Sequence, residues 1–239
     1  MRNEINWQKK SESCQKQLVD DLKSLIAIPS FRDDEQAAND SPLGPGPKSA
    51  LLHFGKIAER DGFEFHNLNN IVGYIEYVPK GADDQYVAIL GHLDVVPAGD
   101  GWETDPYSAS QKNGNIYGRG SSDDKGPLLS AYYALKIVVG LGTEFKHRIR
   151  LIVGTDEEND WTCVNYYFDH EPAPLFGFSP DAEFPIINGE KGISQFEDRF
   201  IGKNEGPARL LSFRAGQRTN MVPGKASAKL IVENADQLK

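Results

Sequence analysis

Two apolar segments rich in β-branched residues, separated by a long crossover that contains a helical pattern, constrain the fold of this chain most. The segments are YVAILGH, which begins at Tyr86, and IRLIVGT, which begins at Ile149. Between them, PLLSAYYALKIVVGLG begins at Pro127 and repeats its apolar residues at helical spacing. A strand, a long crossover with a helix and a second strand together predict parallel pairing. We therefore expect an α/β domain with a mixed, largely parallel sheet flanked by helices.

Further elements are predicted on both sides of this unit. In chain order they are a helix over 11–28, a long surface loop over 32–48, a helix over 50–61, a strand that begins at residue 71 and a helix over 159–170. After about Gly189, the segments GISQFEDRFIG and ASAKLIV alternate apolar and polar residues, which is typical of antiparallel strands with one solvated face. The sequence thus predicts a first domain over 1–191 and the beginning of a second, α+β domain over 192–239.

Composition narrows the classes of partner. The 239 residues carry a formal net charge of −9, which disfavours nucleic acid as the main partner, because phosphate binding draws on a surplus of Lys and Arg. No stretch approaches the roughly 20 apolar residues of a membrane span, and the N-terminal segment lacks the apolar centre of a signal peptide. We therefore expect no membrane partner and a cytoplasmic location. With only Cys14 and Cys163 present, neither a disulfide framework nor a cysteine zinc site is expected.

Residue types that bind metals gather at the ends of the predicted strands and before the crossover helix. They are His92 and Asp94 after the first strand, Asp123 and Asp124 before the helix, Glu157 and Glu158 after the second strand, and Asp181 after a short apolar run. In open α/β sheets, ligands bind outside the carboxyl ends of the strands. We expect these side chains to meet at that edge of the sheet.

Each of these clusters also has an ordinary explanation. A single histidine can be a structural hydrogen-bonding residue, paired aspartates can cap a helix, and the remaining acids can belong to a solvated helix start or a turn. Taken together they favour a metal site, because carboxylates in one cleft repel each other and are costly to desolvate unless a cation compensates. One imidazole with several carboxylates suits zinc, manganese or cobalt, and the number of ligands suits two ions with a bridging carboxylate.

Asp94 and one of the two adjacent glutamates are not needed as metal ligands. Of Glu157 and Glu158, one can bind the metals and the other can act as a general base. Asp94 lies two residues after His92, on the same side of an extended segment, and is placed to orient the imidazole.

Four motifs resemble the signatures of a known enzyme family. GHLDVVPAGDGWETDPYS, YGRGSSDDKGP, TDEEND and FSPDAEFP are similar to those of the co-catalytic dinuclear metallopeptidases that include aminoacylases, carboxypeptidase G-type enzymes and desuccinylases. The motifs DDKGP, DEE-x-D-W, SPDAEFP and NGEKG resemble most closely those of the PepV-type bacterial dipeptidases. The resemblance extends from LxxLIxIPS to NMVP, and it implies a zinc-exopeptidase-like fold followed by a lid domain.

The resemblance also implies a ligand set. His92, Asp123, Glu158 and Asp181 correspond to ligands of two divalent metal ions, and Asp123 corresponds to the ligand that bridges them. Zinc is the metal that we expect, with manganese or cobalt as alternatives.

Further roles follow from the same resemblance. Glu157 corresponds to the general base and Asp94 to the carboxylate that orients the metal-bound histidine. Asn220, in TNMVP, corresponds to a substrate-binding residue on the lid side. The peptide bond between Asp123 and Asp124 is expected to be cis.

The implied activity is the hydrolysis of short peptides, including β-alanyl and Xaa-His dipeptides, by a metal-activated water. An N-acyl-amino-acid hydrolase such as a succinyl-diaminopimelate desuccinylase is the alternative, because the metal ligands do not determine which acyl group the substrate carries. Members of the family are longer, and neither their late histidine ligand nor the rest of their lid has a counterpart in this sequence. Three hypotheses follow: a fragment or truncated product, a chain that another chain completes, or a catalytically silent homologue. The oligomeric state is left open.

Overall fold

A computed structural model of the chain describes residues 5–142, 144–183, 186–202, 208–216 and 222–233. The chain divides into two compact units, Met1–Ile186 and Ile187–Lys239. The two domains expected from the sequence stay a prediction, and their boundary between residues 191 and 192 lies inside the second unit.

The first unit contains four helices and seven strands within its described residues. They are α1 (Trp7–Ile26), α2 (Pro45–Arg60), β1 (Phe65–Leu68), β2 (Val72–Tyr77), β3 (Tyr86–His92), β4 (Ser110–Lys112), β5 (Asn115–Tyr117), α3 (Lys125–Gly140), β6 (Arg148–Gly154), α4 (Thr162–His170) and β7 (Phe176–Phe178). None of the helices in the described part of the chain combines the length and the apolar character that a membrane span requires.

The main sheet is mixed and has the order β1-β2-β6-β3-β7. The pairs β1–β2 and β2–β6 are antiparallel, whereas β3 pairs in parallel with both β6 and β7. The predicted α/β class and the parallel pairing of the strands at Tyr86 and Ile149 are therefore confirmed. In this register His92 lies opposite Gly154, so that the segments after β3 and β6 leave the sheet side by side.

Helices cover both faces of this sheet. Alternate residues of β6 face two different cores: Leu151 and Val153 pack with α1, α2 and α3, whereas Ile152 packs with Cys163 and Tyr167 of α4. This alternation follows from the two-residue repeat of a strand. It explains why a strand covered on both faces is apolar throughout, as the sequence IRLIVGT suggested.

The predicted helices form, with shifted first residues. α1 begins earlier than expected, where the Asn6 side chain accepts a hydrogen bond of 2.9 Å from the Lys9 N–H and caps the helix. α2 begins at Pro45, because a proline in the first turn needs no N–H partner. α4 begins late, at Thr162, because the preceding acidic residues form a loop.

The second unit contains an antiparallel pair, β8 (Ala208–Ala215) and β9 (Ala226–Val232). The strand predicted from ASAKLIV is confirmed as β9. The strand predicted from GISQFEDRFIG is wrong, since residues 192–202 form no helix or strand. An alternating pattern makes a strand only where a backbone partner satisfies its N–H and C=O groups, and this segment has none within the described residues.

Candidate metal centre

Three strand ends and one helix start carry the predicted ligands to one edge of the sheet. His92 is the last residue of β3, Asp123 lies just before α3, and Asp181 follows β7. Candidate ligand atoms of these three residues all lie within 4.8 Å of one another. The structure thus brings together three of the four residues that the sequence assigned as ligands.

The Nε2 atom of His92 is the centre of this group. It lies 3.2 Å from Oδ1 of Asp123, 3.3 Å from Oδ2 of Asp181 and 3.7 Å from Oε2 of Glu157. Three carboxylates from three different loops therefore converge on one ring nitrogen.

The other ring nitrogen of His92 orients the imidazole. Nδ1 lies 3.0 Å from the backbone oxygen of Asp94 and 3.3 Å from its Oδ1. Asp94 is therefore in the position that its predicted orienting role requires. An Nδ1–H that donates to Asp94 leaves an Nε2 lone pair directed at the carboxylates.

The Nε2 lone pair and the carboxylate oxygens that it faces repel each other unless a positive charge lies between the nitrogen and the oxygens. Nε2 of His92 is buried and has no hydrogen-bond partner within the described part of the chain. In the metal-free chain a proton on Nε2 satisfies this geometry: burial alone would lower the pKa of His92, but Asp123, Asp181 and Asp94 outweigh it and raise the pKa well above its ordinary value. A divalent cation satisfies it as well, because imidazole and carboxylates are its ligands. The residues therefore fit the metal that the family resemblance implies.

Asp94 has a second role, which the sequence analysis missed. Its carboxylate is buried and accepts hydrogen bonds from the backbone N–H groups of Glu157, at 3.1 Å, and Glu158, at 3.0 Å. One side chain thus positions both the imidazole and the paired glutamates. No pattern in the sequence predicts this contact, because it depends on the register of β3 against β6.

The neighbouring carboxylates Asp123 and Asp124 point into different environments. The Asp123 side chain is 62% exposed, whereas Asp124 is buried and its Oδ2 accepts a hydrogen bond of 3.0 Å from the His92 backbone N–H. Burial raises the pKa of Asp124 to about 7. The peptide bond between the two residues is cis, as the resemblance implies. Asp123 is therefore available to a ligand, and Asp124 holds the end of β3.

The end of α1 and the segment that follows it support both ligand loops. The buried Lys125 donates from Nζ to the carbonyls of Leu25 and Ile28, each at 2.9 Å. The Ser30 hydroxyl donates to the carbonyl of Leu93 at 2.5 Å. Residues 25–30 therefore connect the loop that carries Asp123 with the loop that carries His92. The sequence analysis assigned no role to Lys125 or Ser30.

Glu158 lies beside Asp123 rather than within the 4.8 Å group. The His92 ring, with Nε2 at 3.2 Å from Oδ1 of Asp123, lowers the pKa of Asp123 most, and a hydrogen bond with Glu158 adds to the effect. Burial, together with the charge of Asp123, raises the pKa of Glu158 to about 7. Burial also raises the pKa of Glu157. Burial is the main cause of these raised pKa values and the neighbouring carboxylates add to it, and a divalent ion would offset both effects.

The loop that carries Glu157 and Glu158 is anchored on its other side by Asp156. This buried carboxylate accepts a hydrogen bond of 3.1 Å from the Thr162 N–H and lies 3.2 Å from Nη1 of Arg32. Arg32 lies at the start of the long loop predicted over 32–48, and this contact was also missed. The remaining predicted site residue, Asn220, lies outside the described residues.

Comparison with known proteins shows which family this chain matches. The sequence pattern of peptidase family M20/M25/M40 matches residues 88–231. A protein of Staphylococcus haemolyticus with the name "Putative dipeptidase" is 46% identical over 231 residues, which are 95% of this chain and 49% of that protein. The chain therefore spans about half the length of the curated relatives it matches.

Solved structures show a similar fold. Human carnosine dipeptidase 1 aligns with a TM-score of 0.56 and 23% identity over 72% of this chain and 39% of the human chain. A Bacillus subtilis protein, described as a dinuclear metal binding peptidase from the M20 family, aligns with a TM-score of 0.53 and 13% identity over 95% of this chain and 67% of its own. At these identities the likeness concerns the fold alone.

Proposed function

Because the chain belongs to peptidase family M20/M25/M40, we propose that it is the metal-binding part of a PepV-type dipeptidase that hydrolyses short peptides. The convergence of Asp123 and Asp181 on the buried Nε2 of His92 carries this proposal. The name of the Staphylococcus haemolyticus relative supports a dipeptide as substrate. We include β-alanyl dipeptides among the substrates because the resemblance to the PepV-type dipeptidases implies them.

This arrangement of side chains would hold two divalent ions. His92, Asp123 and Asp181 would hold the first ion, and Asp123 together with Glu158 would hold the second. Zinc suits one imidazole with several carboxylates, and manganese and cobalt are the alternatives. When bound, the ions supply Lewis-acid polarisation of the scissile carbonyl and activation of the attacking water.

Glu157 moves the proton. Its carboxylate faces the same ring nitrogen at 3.7 Å, and its raised pKa brings it closer to the neutral range in which a general base also returns its proton. It accepts the proton of the attacking water and then donates it to the leaving amine. Asp94 keeps Glu157 and His92 in place, and the family resemblance assigns a substrate-binding role to Asn220.

Metal binding and substrate choice test this proposal separately. Calorimetric titration of the metal-free chain with Zn²⁺ should reveal two ions bound, and Asp123→Asn should bind neither. The zinc-loaded chain should release amino acids from β-alanyl-histidine and from unblocked dipeptides, but not from N-succinyl amino acids. Release from the succinylated substrates alone would favour the desuccinylase, and two bound ions without hydrolysis of any substrate would favour the silent homologue.

A further inference from the structure

The turn that carries Glu157 and Glu158 is flanked by two further acids. Asp156 precedes the glutamates and Asp160 follows them, so that the sequence DEEND places four carboxylates within five residues. Carboxylates this close in sequence repel each other, and a cation that faces them offsets the repulsion. The position of the two glutamates therefore depends on how the charges of the flanking pair are balanced.

Arg32 joins the two flanking acids. Its Nη1 lies 3.2 Å from Oδ1 of Asp156 and 2.7 Å from Oδ2 of Asp160. Its Nε donates to Oδ1 of Asp34 at 2.7 Å, which fixes the orientation of the guanidinium. The Arg32 side chain is 19% exposed and that of Asp156 is fully buried, so this contact is shielded from water in a way that a surface ion pair is not. Arg32 therefore connects the first and the last residue of the turn.

The turn is also held at its backbone. On the inner side, the Asp94 carboxylate accepts the N–H groups of Glu157 and Glu158. On the outer side, the Trp161 N–H donates to the carbonyl of Asp156 at 3.0 Å. Trp161 has a φ of 57°, a conformation that a bulky residue adopts only where its surroundings impose it. The shape of the turn is therefore set in part by contacts outside the metal cluster.

The two proposed ions depend on this turn to different degrees. The ligands of the first ion, His92, Asp123 and Asp181, lie at the end of β3, before α3 and after β7. Only the second ion uses a ligand from the turn, Glu158. A change in the turn should therefore affect the second ion and leave the first in place.

We propose that Arg32 is a positioning residue for the second metal ion, and that it acts by bridging Asp156 and Asp160 so that Glu158 faces Asp123. The inference rests on the proposed two-ion site. Without the guanidinium, binding of the second ion has to order a turn of four mutually repelling carboxylates. Residues that support metal ligands contribute about 10–100-fold to metal affinity, and we expect a loss of this size for the second ion alone.

Calorimetric titration of the metal-free 239-residue chain with Zn²⁺ tests this inference. Glu158→Gln identifies the binding event of the second ion, because it should remove that event only. Arg32→Met should weaken the same event by about 10–100-fold and leave the affinity of the first ion unchanged, which also shows that the variant is folded. Arg32→Lys keeps a cation and should bind the second ion more tightly than Arg32→Met.

A matched variant controls for the loss of one positive charge. Arg148 is also a half-buried arginine with two carboxylate partners, Glu76 at 3.3 Å and Asp84 at 2.6 Å. It begins β6, whereas the metal cluster lies beyond the other end of that strand. Arg148→Met should therefore leave the affinities of both ions unchanged.

Hydrogen exchange of the metal-free chain tests the position of the turn without any metal. In Arg32→Met the amides of Glu157 and Glu158 should exchange faster than in the unmodified chain. The amide of His92, which donates to Asp124, should exchange at an unchanged rate.

The possible failures are distinguishable. Fewer than two ions in the unmodified chain would refute the proposed two-ion site and this inference with it. With two ions in the unmodified chain, the inference alone is overturned by any of three results: Arg32→Met binds the second ion as tightly as the unmodified chain or loses both ions equally, Arg32→Lys binds it no more tightly than Arg32→Met, or Arg148→Met shows the same selective loss.

Discussion

Two clusters of charged side chains in the first unit are both partly buried, but they balance their charges differently. In the first, which we call the helix-side network, Arg60 contacts both oxygens of Asp21 at 2.8 Å. In the same network, Asp61 Oδ2 lies 2.7 Å from Nζ of Lys136 and accepts a 2.8 Å hydrogen bond from the Tyr132 hydroxyl. Two cations there, Arg60 and Lys136, face the two carboxylates, and Arg60 contacts both of them. In the metal cluster, by contrast, three carboxylates share the single Nε2 atom of His92.

The pKa values of carboxyl groups in the two clusters shift in opposite directions. Burial alone would raise the pKa of Asp61, but hydrogen bonds from Arg60, Lys136 and Tyr132 outweigh it and lower the pKa to about 2. In the metal cluster, burial raises the pKa of Glu158 to about 7. Burial with matched cations therefore produces a network that stabilises the fold, whereas burial without them produces a site that gains from an added cation.

The largest expected effect comes from the bridging position. Asp123→Asn removes the carboxylate that both proposed ions share, so it should weaken Zn²⁺ binding by more than about 100-fold, since even supporting residues around a metal contribute about 10–100-fold. Isothermal titration calorimetry and elemental analysis measure this. Asp61→Asn, in the helix-side network, is the control and should retain both ions. A full complement of two ions in Asp123→Asn would show that this residue is not a bridge.

Glu157→Gln should separate chemistry from binding. Loss of a general base reduces kcat by about 10²–10⁴-fold, while the ligands of both ions remain. Steady-state kinetics on a dipeptide, together with the zinc content of the same sample, give both quantities. If zinc is lost from Glu157→Gln and kept in Glu158→Gln, the roles of the two glutamates are reversed.

Binding of Zn²⁺ to the metal cluster should stabilise the fold. At a free Zn²⁺ concentration of about 100 times Kd, binding to the native state adds about 2.7 kcal/mol to the free energy of unfolding. Thermal unfolding with and without Zn²⁺ should therefore show a higher Tm for the unmodified chain and no change for Asp123→Asn. An equal rise in both proteins would place the stabilising ion elsewhere.

The smallest effect is expected in the helix-side network. The pKa of Asp61 falls from 3.8 to about 2 on folding, so its ion pairs contribute about 2 kcal/mol above pH 4, and this contribution is lost as the pH falls towards 2. Asp61→Asn should be less stable by about that amount at pH 7, and its difference from the unmodified chain should shrink below pH 4. Urea unfolding at several pH values measures both. A difference that is constant with pH would mean that the loss is steric rather than electrostatic.

Local sequence patterns predicted the framework of the first unit well. The segments at Tyr86, Pro127 and Ile149 formed β3, α3 and β6 because their periodicity and their turn residues agree with their burial on both sides. The segment 192–202 failed as a strand because an alternating pattern says nothing about whether a partner strand is available.

The candidate site was predictable only in part. His92, Asp123 and Asp181 follow strand ends or precede a helix, and topology brings such positions to one edge of a sheet. The support from Lys125 and Ser30 was not predictable, because it joins segments far apart in the chain through buried hydrogen bonds to backbone carbonyls.

By itself, therefore, the sequence determined the α/β class, the parallel strand pair and the types of side chain at its ends, because these follow from local periodicity and from the order of elements along the chain. Only the tertiary structure decided that His92 directs a buried nitrogen at its carboxylates, that Asp94 holds Glu157 and Glu158, and that Arg32 joins the two ends of their turn. These features depend on strand register and on burial, which arise between segments that are distant in sequence.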